Sequence, residues 1–219
     1  MIAISEGRTI YNNIRKTIRF LLATNMSEVM VTATSISVGL GEPLSPMQLL
    51  WINLVSDIFP GLALALEPPE PDVLLGPPRD PAEEILEAPA VKRMLVESAV
   101  LSSGAMGAYG YGLLRYGRGP RAGTMAFLSL TMGQLLHAIS TRSPTRTIYD
   151  RERLPANPYL TGALAGCFLL QGVALVFPPL RQLLGITRIG LIDGLVVAGG
   201  AVLPLLANEG IKKSQRGTP

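Results

Sequence analysis

Apolar residues gather in this chain into runs of about twenty, separated by short segments rich in Gly, Pro and charge. A helix rises about 1.5 Å per residue and a hydrocarbon core is about 30 Å thick, so runs of this length suit membrane-spanning helices. Six segments qualify, near 17–40, 45–66, 92–114, 122–141, 158–179 and 187–208. The pattern predicts an all-α fold, a polytopic membrane bundle of about six transmembrane helices. Only Gly41-Glu42-Pro43 separates the first two segments, which are therefore expected to form a tight hairpin. After the second come Glu67-Pro-Pro-Glu-Pro-Asp72 and Gly76-Pro-Pro-Arg-Asp-Pro81. Their prolines forbid a continuous helix and their charges exclude the bilayer core. Three units result: a helical hairpin over 1–66, a cytoplasmic Pro-rich connector over 67–91, and a four-helix carboxy-terminal membrane bundle over 92–219.

Composition supports the same environment. Of 219 residues 48% are hydrophobic and 16% charged, against about 25% charged in soluble domains, and the mean hydropathy is +0.35. The pI near 9.2 could suggest nucleic acid. The net charge is only +3, however, and the cations lie between apolar runs, where they set topology, so no nucleic-acid partner is expected. Cys167 is the single cysteine, so neither a disulfide within the chain nor a thiolate zinc site can form. The opening Met-Ile-Ala-Ile-Ser-Glu-Gly-Arg lacks the basic and apolar regions of a signal peptide. Insertion is expected to use the first spanning helix. Counting Lys and Arg by side places 14 with the termini and 5 opposite. The positive-inside rule then predicts both termini in the cytoplasm.

Polar residues within the apolar runs carry the chemistry. A carboxylate in mid-bilayer costs at least about 2.5 kcal/mol and normally marks an ion or proton pathway. The first segment holds Asn25 and Glu28 at i and i+3, and the second holds Asn53, Ser56 and Asp57 at i, i+3 and i+4, each set on one helix face. Two carboxylates, two amides and a hydroxyl thus face a shared depth. Such an all-oxygen set suits a hard cation such as calcium, and equally manganese, magnesium or a monovalent ion. Pro60 adds to this: it removes a backbone donor and clashes with the carbonyl of residue 56, so the helix around Ser56–Gly61 is expected to be broken or wide, freeing carbonyls as ligands. The plainer alternative for Asn25, Asn53 and Ser56 is interhelical hydrogen bonding alone. Gln134, His137, Gln171 and Asp193 read as structural, and Glu97 as facing the water interface. His137 has no second histidine with which to share a metal. Small residues at Ser102, Ser103, Gly104, Ala105, Gly107, Gly110 and Gly112, and again at Gly162, Gly166, Gly199 and Gly200, suit close helix packing.

Three stretches, Glu6-Gly-Arg-Thr-Ile-Tyr-Asn-Asn-Ile-Arg-Lys16, Asn25-Met-Ser-Glu28 and Gln48-Leu-Leu-Trp-Ile-Asn-Leu-Val-Ser-Asp57, closely resemble P-type cation-transporting ATPases, nearest the calcium-pump-like group. The connector and the ending Leu203-Pro-Leu-Leu-Ala-Asn-Glu209 match as well. The resemblance implies that this chain corresponds to the last six of ten membrane helices. It implies that Asn25 and Glu28 are ion ligands of the family's fifth helix, and Asn53, Ser56 and Asp57 those of its sixth. Ser56 stands where calcium pumps often have threonine. Near Ser143-Pro144, where two-site calcium pumps carry an acidic ligand, this chain has proline, which leaves a second site without that ligand. The sequence has no Asp-Lys-Thr-Gly-Thr phosphorylation motif. The resemblance implies that phosphorylation, nucleotide and actuator domains and the first four helices, with the ligands of the fourth, come from an amino-terminal half.

The function expected is therefore the transport domain of an ATP-driven cation pump in a bacterial-type cell membrane. It would be present as a fragment or split subunit, with no catalytic residue, no ATP site and no catalysis by the chain alone, since phosphoryl transfer needs groups it lacks. Two alternatives are a truncated pump acting as a membrane-bound regulatory partner, and an ATP-independent six-helix channel or carrier.

Overall fold

The computed structural model describes residues 2–70, 73–74, 85–150 and 154–216. Six long helices and one short one account for nearly all of them: α1 (Ile2–Ser37), α2 (Pro46–Ala65), α3 (Ala88–Tyr116), α4 (Pro120–Thr141), α5 (Pro158–Val176), the short α6 (Pro178–Leu183) and α7 (Leu191–Arg216). No strand occurs among the described residues. Local chemistry sets the ends. Ser45 and Gln48 form a reciprocal capping box in front of α2, satisfying amide donors that a helix start leaves unpaired. Asn157 caps α5 through Leu160 N. Proline occupies the first turn of both, where its missing N–H costs nothing. Gly39 and Gly41 take left-handed φ values of 72° and 88° between α1 and α2, a conformation open to glycine at little cost.

Four helices, α2, α4, α5 and α7, are long and apolar enough to cross a membrane by themselves. The other two long helices, α1 and α3, carry more charge and pack between them. The fold is a helical membrane bundle. At its centre stands α4, which contacts α1, α2, α3, α5 and α7. Of its apolar window 78% is buried, against 28% for α5 and for α7, whose remaining apolar surface suits lipid. Leu114, Leu169, Val176 and Leu191 are among the large side chains left on the outside.

Contacts between helix ends establish an up-and-down arrangement. At one end Asn13 of α1 reaches the carbonyls of Ala65 and Glu67, and Ser140 of α4 meets Glu209 of α7. At the other, Tyr109 of α3 bonds the Leu40 carbonyl and Gln48 bonds that of Leu184. Both termini lie at the first end.

Several boundaries differ from the hydropathy reading. The first helix begins fifteen residues before 17, because its amino-terminal part is charged and polar and falls outside an apolar window while still helical. The third begins at Ala88, inside the expected connector. The fifth stops at Val176, where Pro178 and Pro179 start α6, and the sixth runs on to Arg216. Nearly half of the connector, 71–72 and 75–84, lies outside the described residues. Its first residue, Glu67, is buried rather than aqueous: Arg142 and Asn157 donate to its carboxylate at 2.8 and 2.6 Å.

Close packing is confined to a few glycines. A Cβ on Gly104 would lie 2.0 Å from the Gly200 carbonyl, and one on Gly112 2.8 Å from Ala122 Cα, so α3 meets α7 and α4 backbone to backbone. Gly107, Gly110, Gly162, Gly166 and Gly199 face open space and do not serve this purpose. Ser98 and Ser102 of α3 donate to the Ala23 and Ser27 carbonyls of α1, a polar adhesion typical of helices in lipid.

Candidate cation site

Apolar packing occurs in two clusters. One, nearer the non-terminal end, includes Val31, Ile52, Phe127 and Leu130. The other, nearer the termini, includes Phe20, Val55, Leu64 and Leu135. Asn25 and Glu28 of α1, Ser56 and Asp57 of α2 and Gln134 of α4 fall along their helices where one cluster gives way to the other.

The α2 backbone explains how Ser56 and Asp57 come to face inward. Residues Ile52–Asp57 form a π-helical turn, a wider coil that recurs at functional sites. The widening was expected around Ser56–Gly61. It lies earlier instead, and α-helix resumes at Ile58 with Pro60 in its first turn, where a missing donor is tolerated. A π-type bond from residue 60 would end on the Val55 carbonyl, and proline has no N–H to give. The Cys167 thiol donates to that carbonyl at 3.0 Å, so one freed carbonyl is already occupied by α5.

Asp57 is 3% exposed, Glu28 6% and Ser56 0%. Asn25 Nδ2 donates to Asp57 Oδ2 at 3.1 Å and to the Leu21 carbonyl at 2.7 Å, joining α1 to α2. This is the interhelical bond of the plainer alternative, and it also places the Asn25 amide beside the carboxylate. Asp57 Oδ1 and Ser56 Oγ are buried without a hydrogen-bond partner. Unsatisfied buried groups cost about 1–3 kcal/mol each, so their retention calls for a reason. Asn53 is exposed, as Asn25 is, but its amide turns back to the Leu49 carbonyl at 2.9 Å rather than to either carboxylate.

Gln134, read from sequence as structural, belongs with these groups. Fully buried, it donates through Nε2 to Glu28 Oε1 at 3.2 Å and to the Thr24 carbonyl at 3.2 Å, while its Oε1 has no partner. The signal available in the sequence was an amide at the centre of the fourth apolar run. What the sequence could not give was which face of α4 meets α1. Ser143-Pro144, where an acidic ligand was sought, lies beyond the end of α4: Ser143 donates to Glu70 and the Pro144 carbonyl accepts from Arg93.

The remaining polar candidates make contacts elsewhere in the bundle. Gln171 Oε1 accepts from Trp51 Nε1 at 2.9 Å. Asp193 accepts from Tyr116, Arg121 and the Gly190 amide at the start of α7. Glu97 does not face water. It is 3% exposed and ion-paired with Arg19 and with Arg93, while His137 stands 3.8 Å from it and stacks on Phe20.

Two buried carboxylates, a buried hydroxyl and the amides of Asn25 and Gln134 thus stand together on three helices. Among the described residues no three His, Cys, Asp or Glu side chains cluster. The fold is that of a helical membrane domain with two carboxylates buried in its interior. Residues 41–214 match the family described as cation transporting ATPase, C-terminus, and the chain belongs to that family. It is 35% identical over 206 residues to the calcium-transporting ATPase of Bacillus subtilis (strain 168), covering 92% of this chain and 23% of the relative. It is 32% identical to calcium-transporting ATPase 1 of Bacillus cereus, covering 98% and 26%. To the human calcium-transporting ATPase type 2C member 1 it is 31% identical, covering 99% and 23%. The chain thus spans about a quarter of the length of the curated relatives it matches.

Proposed function

We propose that this chain is the transport domain of an ATP-driven calcium pump, and that Asn25, Glu28, Ser56, Asp57 and Gln134 hold the transported ion. The single observation that carries this reading is the burial of Glu28 and Asp57, bonded to the Gln134 and Asn25 amides of neighbouring helices, while Asp57 Oδ1, Ser56 Oγ and Gln134 Oε1 are without protein partners. A divalent ion neutralises the two carboxylates while the neutral oxygens replace part of its hydration shell. The names of the relatives, calcium-transporting ATPases, favour calcium over other divalent ions.

Asn25 and Asn53 mark an open side of the site between α1 and α2. A further transmembrane helix against that side brings the remaining ligands, and Asn53 joins the site by turning its side chain away from Leu49. That helix and the ATP-hydrolysing domains belong to an amino-terminal half, on the same polypeptide or a separate one. The termini and the ion pairs of Arg19 and Arg93 with Glu97 and of Lys16 with Glu70 lie at the cytoplasmic end, where those domains act, as the loop charges favour.

The test is expression of this chain with and without the amino-terminal half of a related pump, followed by cation-stimulated ATP hydrolysis in isolated membranes. The expected result is calcium-stimulated hydrolysis only with both halves present. Calcium flux through the purified chain alone, without ATP, would instead favour a channel or carrier and end this reading.

A further inference from the structure

The buried residues of α5 form one stripe, Leu160, Leu164, Cys167, Gln171 and Ala174, spaced three or four residues apart and so on a single helix face. α5 packs on α2, and most of its remaining surface is left for lipid. Polar bonds cross the contact in antiparallel order. Gln171 Oε1 accepts from Trp51 Nε1 at 2.9 Å. The Cys167 thiol donates to the Val55 carbonyl at 3.0 Å, and Asn157 Nδ2 donates to the Ala63 carbonyl at 3.0 Å.

The first two bonds grip the wide turn of α2. Trp51 is the residue before the π-helical segment Ile52–Asp57, and Val55 lies within it. A π turn puts backbone groups out of register with the α-helix on either side and recurs where a helix carries function. Pro60 has no N–H for the carbonyl five residues back, so a π-type ladder cannot close on Val55. Cys167 supplies a donor in its place. Ser56 and Asp57 follow Val55 directly, so rotation or tightening of the turn moves these two side chains first. Gln171 holds the other end of the turn through the Trp51 indole. Both residues act on α2 rather than on an ion, since their hydrogen bonds end on Val55 and Trp51. Groups that orient a metal's direct ligands in this way tune its affinity without touching it.

We infer that Cys167 and Gln171 are positioning residues of the cation site: by tying the wide turn of α2 to α5, they keep Ser56 and Asp57 turned into the bundle. Their effect on calcium rests on the cation reading proposed above, whereas the bond from Cys167 to Val55 does not.

Cys167 is the only thiol in the chain, so the S–H stretch in an infrared spectrum of the full chain in nanodiscs reports this bond alone. The band should lie below that of a free thiol in apolar solvent, and it should vanish in Cys167→Val. A band at the free-thiol position would overturn the tie, whatever the chain does with calcium. In the pump assembled with its amino-terminal half, the calcium concentration for half-maximal ATP hydrolysis is then compared across variants. Cys167→Val keeps the bulk without a donor and should raise that concentration by about threefold, the size of one hydrogen bond between membrane helices. Cys167→Ser keeps a donor and should restore the wild-type value. Gln171→Met removes the acceptor from the Trp51 N–H and should raise the concentration by about fivefold. In all three variants kcat at saturating calcium should match wild type. Packing alone would make valine the better substitute and serine the worse. That order, or an unchanged calcium response in both Cys167→Val and Gln171→Met, would overturn the inference. Absence of any calcium response in wild type would end the cation reading instead, with the S–H band still deciding the tie.

Discussion

Asp57→Asn offers the sharpest separation of folding from cation binding. Asn25 Nδ2 donates to Asp57 Oδ2 at 3.1 Å, and an asparagine at 57 keeps an amide oxygen of the same shape to accept that bond. The α1–α2 contact therefore survives, and the variant should insert and express as wild type does. What is lost is one of two buried charges facing the ion. Leaving a buried charge without its partner costs about 3–5 kcal/mol, which corresponds to about two to three and a half orders of magnitude in affinity. Ser56→Ala removes one neutral oxygen, a loss of about 1 kcal/mol or about fivefold. The assay is the calcium concentration giving half-maximal ATP hydrolysis by the pump assembled with its amino-terminal half. The expected order is wild type, then Ser56→Ala, then Asp57→Asn with no response in the accessible range. Unchanged calcium affinity in Asp57→Asn, or a larger effect from Ser56→Ala, would refute the reasoning.

Three further outcomes follow from the packing. Gly200→Ala would set a methyl 2.4 Å from Ser129 Oγ and 2.7 Å from the Gly104 carbonyl, so it should destabilise the bundle by about 1–3 kcal/mol. Gly107→Ala, in open space, should be neutral or stabilising by up to about 1 kcal/mol; equal thermal midpoints for both variants in detergent would contradict this. Glu97→Gln leaves Arg19 and Arg93 without their shared carboxylate and should cost about 3–5 kcal/mol, lowering the same midpoint, and an unaltered midpoint would count against a buried network. Arg118→Cys, on a Cys167→Ser background, should react with an impermeant thiol reagent only from the extracytoplasmic side, and reaction from the cytoplasm alone would reverse the topology.

The helical class and the first hairpin were legible because their signals are local. Twenty-residue apolar runs, a capping Ser45 before Pro46, and Asn53, Ser56 and Asp57 at helical spacing need no knowledge of neighbours. The ends of α1 and α3 were harder, since tertiary packing extends a helix past the point where its sequence stops looking apolar. Pro60 signalled an irregular helix, but the π turn fell before it, because an α-helix accepts proline in its first turn and the strain moves upstream. The surroundings of Gln134 and Glu97 were hidden for one shared reason. Whether a polar side chain on a spanning helix meets lipid, water or another polar group depends on helix rotation, and α4 shows no polar face from which to read it, since neighbours bury most of its surface.

The central claim is that a transported cation is held jointly by α1 and α2. The most direct measurement is a structure of the assembled pump with bound calcium, or with manganese located by its anomalous scattering. The expected result is one ion with carboxylate oxygens of both Glu28 and Asp57 at about 2.3–2.6 Å, completed by neutral oxygens that include Ser56 Oγ or Gln134 Oε1. An ion bound in the membrane with no ligand from either carboxylate would contradict it.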